Sequence, residues 1–155
     1  MNAPASPVAR GVLLVLMLIA LGACASQPQG DRLYRELGGD AGIARLVDAF
    51  LLQLAADERI VDSFADTDIE AFRARLIEQF CALSGGPCEY TGRDMVEAHR
   101  GLGIDDAQFN ALVEDLMAAM TDVDLPWGAR NRLLRLLAPM HREIVADSNV
   151  APAGG

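Results

Sequence analysis

The sequence predicts an all-α domain, and three observations carry that expectation. Apolar residues recur at three- and four-residue intervals through most of the chain. No segment alternates apolar and polar residues long enough to form a strand, and no internal repeat breaks the pattern. Glycine and proline clusters separate the apolar stripes, so the architecture reads as about four substantial helices joined by glycine-marked loops.

The first stripe follows Gly38-Gly39-Asp40 and consists of Ile43, Leu46, Val47, Phe50, Leu51 and Leu54. Asp57 to Ala65 holds a shorter helical turn in which Ile60, Val61 and Phe64 bend the chain back. Thr67-Asp68-Ile69-Glu70 has capping-box spacing and opens a second helix with Ile69, Phe72, Leu76, Phe80 and Leu83 on one face. Gly85-Gly86-Pro87 ends it. Asp105, with Gln108 three residues on, opens a third helix carrying Phe109, Leu112, Val113, Leu116 and Met120. Pro126 sits where a first-turn proline is tolerated, ahead of a last stripe of Leu133, Leu136, Leu137, Met140 and Ile144. Pro139 inside that stripe predicts a kink. From Gly85 to Gly103 the chain is rich in glycine and turn-forming residues, and only Met95 to Arg100 suits a short helix. A long irregular loop in a small helical domain is usually functional.

The ends do not look like core. Arg10 precedes a run of about 13 apolar residues, too short to span a bilayer, followed by small residues, which is the pattern of an export signal. Leu21-Gly22-Ala23-Cys24 resembles the bacterial lipobox, so residues 1–23 are expected to be a lipoprotein signal peptide and Cys24 the lipidated residue. Ala25, where an aspartate would favour inner-membrane retention, implies an outer-membrane lipoprotein facing the periplasm. Residues 24–31 then form the lipidated cysteine and polar tether, 32–146 the folded domain, and 147–155 a disordered tail. The remaining cysteines, Cys81 and Cys88, are an even pair flanking a Ser-Gly-Gly-Pro loop. A disulfide is expected in an oxidising compartment, with two reduced thiols as the alternative.

The net charge of −9 and the absence of lysine argue against a nucleic-acid partner. They also disfavour lying flat on an anionic membrane, which leaves the lipid as the anchor. There is no GxSxG, HExxH, P-loop, CxxC or EF-hand loop, so no catalytic residue is assigned. The acidic residues read as solvated helix faces, and Met95, Met117, Met120 and Met140 as packing residues. Two histidines do not make a usual zinc site. Either one near a helix C-terminus could simply favour the helix dipole, and that reading suits His141, beside Arg142 and Glu143. A single imidazole such as His99 can also hold an iron whose other four ligands come from a macrocycle. The stripes contain all five phenylalanines, enough aromatic surface to line a flat cavity.

From Leu33 to about Val145 the chain resembles the group I truncated haemoglobins, the two-over-two helical globins. The resemblance rests on Leu33-Tyr34-Arg35-Glu36-Leu37-Gly38-Gly39, Phe64, Gly85-Gly86-Pro87, Tyr90-Thr91-Gly92, Met95, His99 with Gly101-Leu102-Gly103-Ile104, and Leu137-Ala138-Pro139-Met140. It implies a truncated-globin helical sandwich with a long loop before a one-turn proximal helix. It also implies haem b, with His99 as proximal iron ligand and Phe64 packed on the haem face. Phe72, Leu76, Tyr90, Met95, Ile104 and Phe109 become haem contacts. Arg73 and Arg75 become candidate propionate partners, with solvated helix surface as the equal alternative. Many family members place a tyrosine and a glutamine where this chain has Leu51 and Leu76, so the distal pocket of Phe50, Leu51, Phe72, Leu76 and Phe80 reads as apolar. The resemblance then implies a diatomic-gas ligand (O2, NO or CO), weaker oxygen retention and an unknown reductase, in a monomer. Nitric oxide dioxygenation or peroxidase-like activity is left open. A haem carrier or chaperone, and a haem-free interaction lipoprotein, are the competing functions.

Overall fold

A computed structural model describes residues 29–148. The expected signal peptide, Cys24 and the end of the tail therefore lie outside the described residues. Seven α-helices are present: α1 Arg32–Glu36, α2 Gly39–Ala56, α3 Ile69–Leu83, α4 Met95–His99, α5 Asp106–Asp122, α6 Trp127–Leu137 and α7 Met140–Ser148. Short 3-10 turns cover Gln29–Asp31 and Val61–Phe64. Among the described residues there is no strand, and no helix is long and apolar enough to cross a membrane.

Helix α2 is the centre of the packing, lying against both α5 and α3. Its Ile43, Leu46, Val47, Phe50 and Leu54 meet Leu116 and Met120 of α5, Phe80 of α3 and Leu133 of α6 in one core. The sharp approach to α2 depends on glycine. Gly38 has φ +89°, and a side chain at Gly42 would put its Cβ 2.0 Å from the Leu37 carbonyl oxygen. Arg132 of α6 pairs with Glu36, tying the first helix to the sixth.

Several boundaries differ from the sequence expectation. Arg32–Glu36 is helical, and the last three residues of the expected tether, Gln29–Asp31, form a turn packed on the loop at Gly85. The cap of α3 is Asp68, whose side chain accepts from the Ala71 amide at 3.0 Å; Thr67 is not the cap, because the aspartate carboxylate already reaches the amide three residues on. The Asp105–Gln108 capping box of α5 forms as expected. Pro139 separates α6 from α7 outright, since its ring cannot continue the ladder. The chain stays helical to Ser148, one residue beyond the start of the expected tail. Met120 is fully buried, whereas Met117 is 49% exposed and is no core residue. A disulfide joins Cys81 to Cys88, with their Cα atoms 5.8 Å apart.

Asp115 departs from the solvated-surface reading of the carboxylates. It is 7% exposed on the buried face of α5, and its Oδ2 has no hydrogen-bond partner. Burial, and secondarily the nearby Asp57 charge, push its carboxyl above the usual range, while Arg59 partly offsets them and Glu114 adds to them. A carboxyl that is harder to ionise folded than unfolded favours folding fully below the unfolded value near 3.8, and that contribution is lost as pH rises toward the raised folded value. Asp115→Asn is therefore expected to stabilise the domain at neutral pH by about 1 kcal/mol, with a smaller gain at acid pH. Thermal melts of both proteins at pH 7 and pH 4 check this; a lower melting temperature for the variant at pH 7 contradicts it.

Candidate functional site

The site is built from the loop that carries α4. Asp94 opens this short helix by accepting the Glu97 amide at 2.7 Å, and after His99 the backbone turns extended at Arg100 (ψ 127°). The one-turn helix at Met95–His99 is as the sequence predicts. His99 is half-buried, and its Nδ1 lies 2.8 Å from the Met95 carbonyl oxygen. A carbonyl only accepts, so Nδ1 carries a proton, and in the neutral ring Nε2 is then the nitrogen with the lone pair. This is how a metal-ligating imidazole is oriented and its tautomer fixed.

What His99 faces follows from helix geometry. Met95, four residues earlier, shares its side of α4. The Met95 sulfur lies 3.5 Å from the Gln79 amide nitrogen of α3, and Met140 of α7 approaches the same nitrogen at 3.6 Å. The His99 side of α4 therefore looks toward α3, with α7 packed alongside. A cavity of about 310 Å³ lies beside Met95, lined by Gln79, Ala82, Leu83, Tyr90, Asp94, Met95 and Met140; His99, Phe64, Phe72 and Leu76 are not among its lining residues. Such a volume falls at the lower end of ligand and cofactor sites. On α3, Phe72 and Leu76 stand two turns and one turn before Gln79 and pack against the core while remaining half-buried, as does Leu51 of α2. The Phe64 and Phe72 rings lie 5.5 Å apart. Ile104 and Phe109 are half-buried beyond α4.

The other sequence candidates are placed as follows. Phe50 and Phe80 are each 2% exposed and belong to the core, which leaves Phe64, Phe72 and Phe109 as half-buried aromatic surface. Tyr90 is half-buried and donates to the Arg93 carbonyl at 2.9 Å, and burial pushes its phenol up. Arg73 pairs with Asp48 at 2.5 Å and holds that carboxyl below its usual range. Arg75 pairs with Glu78 at 2.5 Å and touches Thr91. His141 lies in the first turn of α7, so the helix-dipole reading fails for it; it bonds Asp106 at 2.8 Å and meets the Phe109 ring edge-on at 4.7 Å. Gln79 and Met140 were not expected at the site. The readable signal for Gln79 was its position three residues after Leu76 on the same helix face.

The residues fit a haem in their donor set. The chain supplies one half-buried imidazole held through its Nδ1, together with half-buried Phe64, Phe72 and Leu76, which is the kind of set a protein provides when a tetrapyrrole gives the other four nitrogens.

Comparison with known proteins points the same way. The model of the bacterial-like globin family matches residues 32–146. The chain is 36% identical to a group 1 truncated hemoglobin GlbN from Synechocystis, over 61% of this chain and 79% of that one. It is 30% identical to the GlbN of Mycolicibacterium paratuberculosis, over 72% and 82%. The crystal structure of truncated hemoglobin from Tetrahymena pyriformis in its Fe(III) form superposes with a TM-score of 0.70 at 26% identity, covering 73% of this chain and 97% of that one. With its two-over-two helical sandwich and a family match across the whole folded domain, the chain belongs to the bacterial-like globins, as a group I truncated hemoglobin.

Proposed function

We propose that the protein binds haem b and holds diatomic gases (O2, NO or CO) on it, with His99 as the only iron ligand from the chain. The observation that carries this reading is the 2.8 Å bond from His99 Nδ1 to the Met95 carbonyl, which fixes the ring and leaves Nε2 as the nitrogen available to a metal. When bound, the haem supplies an iron that takes up a gas molecule and four of that iron's nitrogen ligands. The chain positions the imidazole through α4, keeps water off the opposite side with Phe64, Phe72 and Leu76, and offers no hydrogen-bond donor from Leu51 or Leu76. No Cys-x-x-Cys-His motif exists for thioether attachment, which supports haem b. Arg73 and Arg75 already have carboxylate partners, so the propionates are assigned to neither.

Anchoring to the periplasmic side of the outer membrane through Cys24 is part of the proposal. Its support is the run of about 13 apolar residues after Arg10 and the lipobox-like Leu21-Gly22-Ala23-Cys24 that follows it.

The test is spectroscopic. The full chain, purified in detergent and reconstituted with haem, is expected to show a stable Soret band and, once reduced, a reversible shift with CO. Haem that moves readily to apomyoglobin instead favours a carrier, and absence of any bound haem removes both readings.

A further inference from the structure

Away from the haem site, three side chains from distant parts of the sequence converge. The Cys81 and Cys88 sulfurs and a carboxylate oxygen of Asp40 all lie within 4.8 Å of one another. Cys81 is fully buried in the last turns of α3, Cys88 is half-buried in the following loop, and Asp40 is exposed in the first turn of α2. Their environment is tightly built. The Tyr34 hydroxyl donates to Asp40 Oδ1 at 2.8 Å, and a Cβ at Gly86 would fall 2.6 Å from both the Cys81 sulfur and the Tyr34 ring. The glycine lets the loop close over sulfur and carboxylate together.

We propose that, once its disulfide is reduced, this trio binds a thiophilic divalent cation of the zinc class. A dithiol reductant opens the bond: two electrons and two protons pass to the cysteines, giving two thiols, and the reductant closes to its own disulfide. On metal binding each thiol releases its proton to solvent, and both thiolates join the Asp40 carboxylate as ligands, leaving a fourth position for water. With metal–sulfur bonds near 2.3 Å and metal–oxygen bonds near 2.0–2.2 Å, tetrahedral ligand atoms sit about 3.6–3.8 Å apart. The carboxylate thus has to close by about 1 Å at most, and the sulfurs to part from bonding distance. The Ser84-Gly85-Gly86-Pro87 segment between them permits that. The charges also favour it. Without a cation, Asp40 beside two thiols disfavours ionising them; a divalent cation offsets the two thiolate charges formed as the protons leave, and the remaining −1 is that of the Asp40 carboxylate.

The experiment uses the full chain in detergent, oxidised and reduced, with cadmium as spectroscopic probe and zinc for affinity. The reduced chain is expected to take up one equivalent and show an ultraviolet thiolate-to-cadmium charge-transfer band, and the oxidised chain neither. Cys88→Ser, at a half-buried loop position that spares the core, is expected to abolish the band. Asp40→Asn is expected to weaken zinc binding at least about tenfold, the lower end of what losing even a supporting partner costs. His99→Ala is expected to leave all of this unchanged, which separates the site from haem. Equal uptake by oxidised and reduced chains, unaltered affinity in Asp40→Asn, or loss of the metal in His99→Ala overturns the proposal.

Discussion

His99→Ala is expected to lose haem. The variant takes away the imidazole nitrogen assigned to the iron, and the apolar and thioether side chains near it offer no comparable ligand. The expected result is a chain that folds but shows no stable Soret band and no CO difference spectrum. Its stability should change little: His99 is half-buried, and its bond to the Met95 carbonyl contributes about 1 kcal/mol. Far-ultraviolet circular dichroism and thermal melts separate folding from cofactor loss. His99→Gly with imidazole added to the buffer is expected to regain the band, because the glycine leaves room for the missing ring. A His99→Ala protein with the parent spectrum would show that another residue binds the iron.

Leu51→Tyr is expected to slow O2 dissociation. Leu51 is half-buried on α2 and packs on the same core as Phe72 and Leu76 of α3. A phenol there brings a donor to a pocket side that Leu51 and Leu76 leave without one. A hydrogen bond to a partly negative gas ligand contributes about 1–3 kcal/mol, so the rate should fall roughly 5- to 150-fold. CO, which depends less on a donor, should change by much less. The added ring costs about 1–3 kcal/mol of stability, so melts accompany the stopped-flow measurement. A folded variant with an unchanged O2 rate would show that position 51 does not face the bound gas.

The helices were legible because burial writes itself into periodicity. Ile43, Leu46, Val47, Phe50 and Leu54 announce α2, and the core holds them all. Turn and cap details were less so. At Thr67-Asp68 two side chains compete for one cap, and only backbone geometry selects Asp68. The short helix that ends at His99 was readable from the Met95-to-Ile104 segment, whereas Gln79, Met140 and the pairing of His141 with Asp106 depend on how α3, α5 and α7 meet, which no local pattern encodes. Arg73 illustrates the same point, since its partner Asp48 lies 25 residues away on another helix. Asp115 looked like any surface carboxylate because its neighbours Asp57 and Arg59 are distant in sequence.

Helix α4, five residues long, finds its principal packing partner in α7, the last helix of the described residues. Domains emerge from synthesis N-terminus first, so the imbricated core of α2, α3 and α5 can assemble before α7 exists, but the imidazole has no fixed address until the end of the domain has arrived. Cofactor capture is then a late event, coupled to completion of the chain.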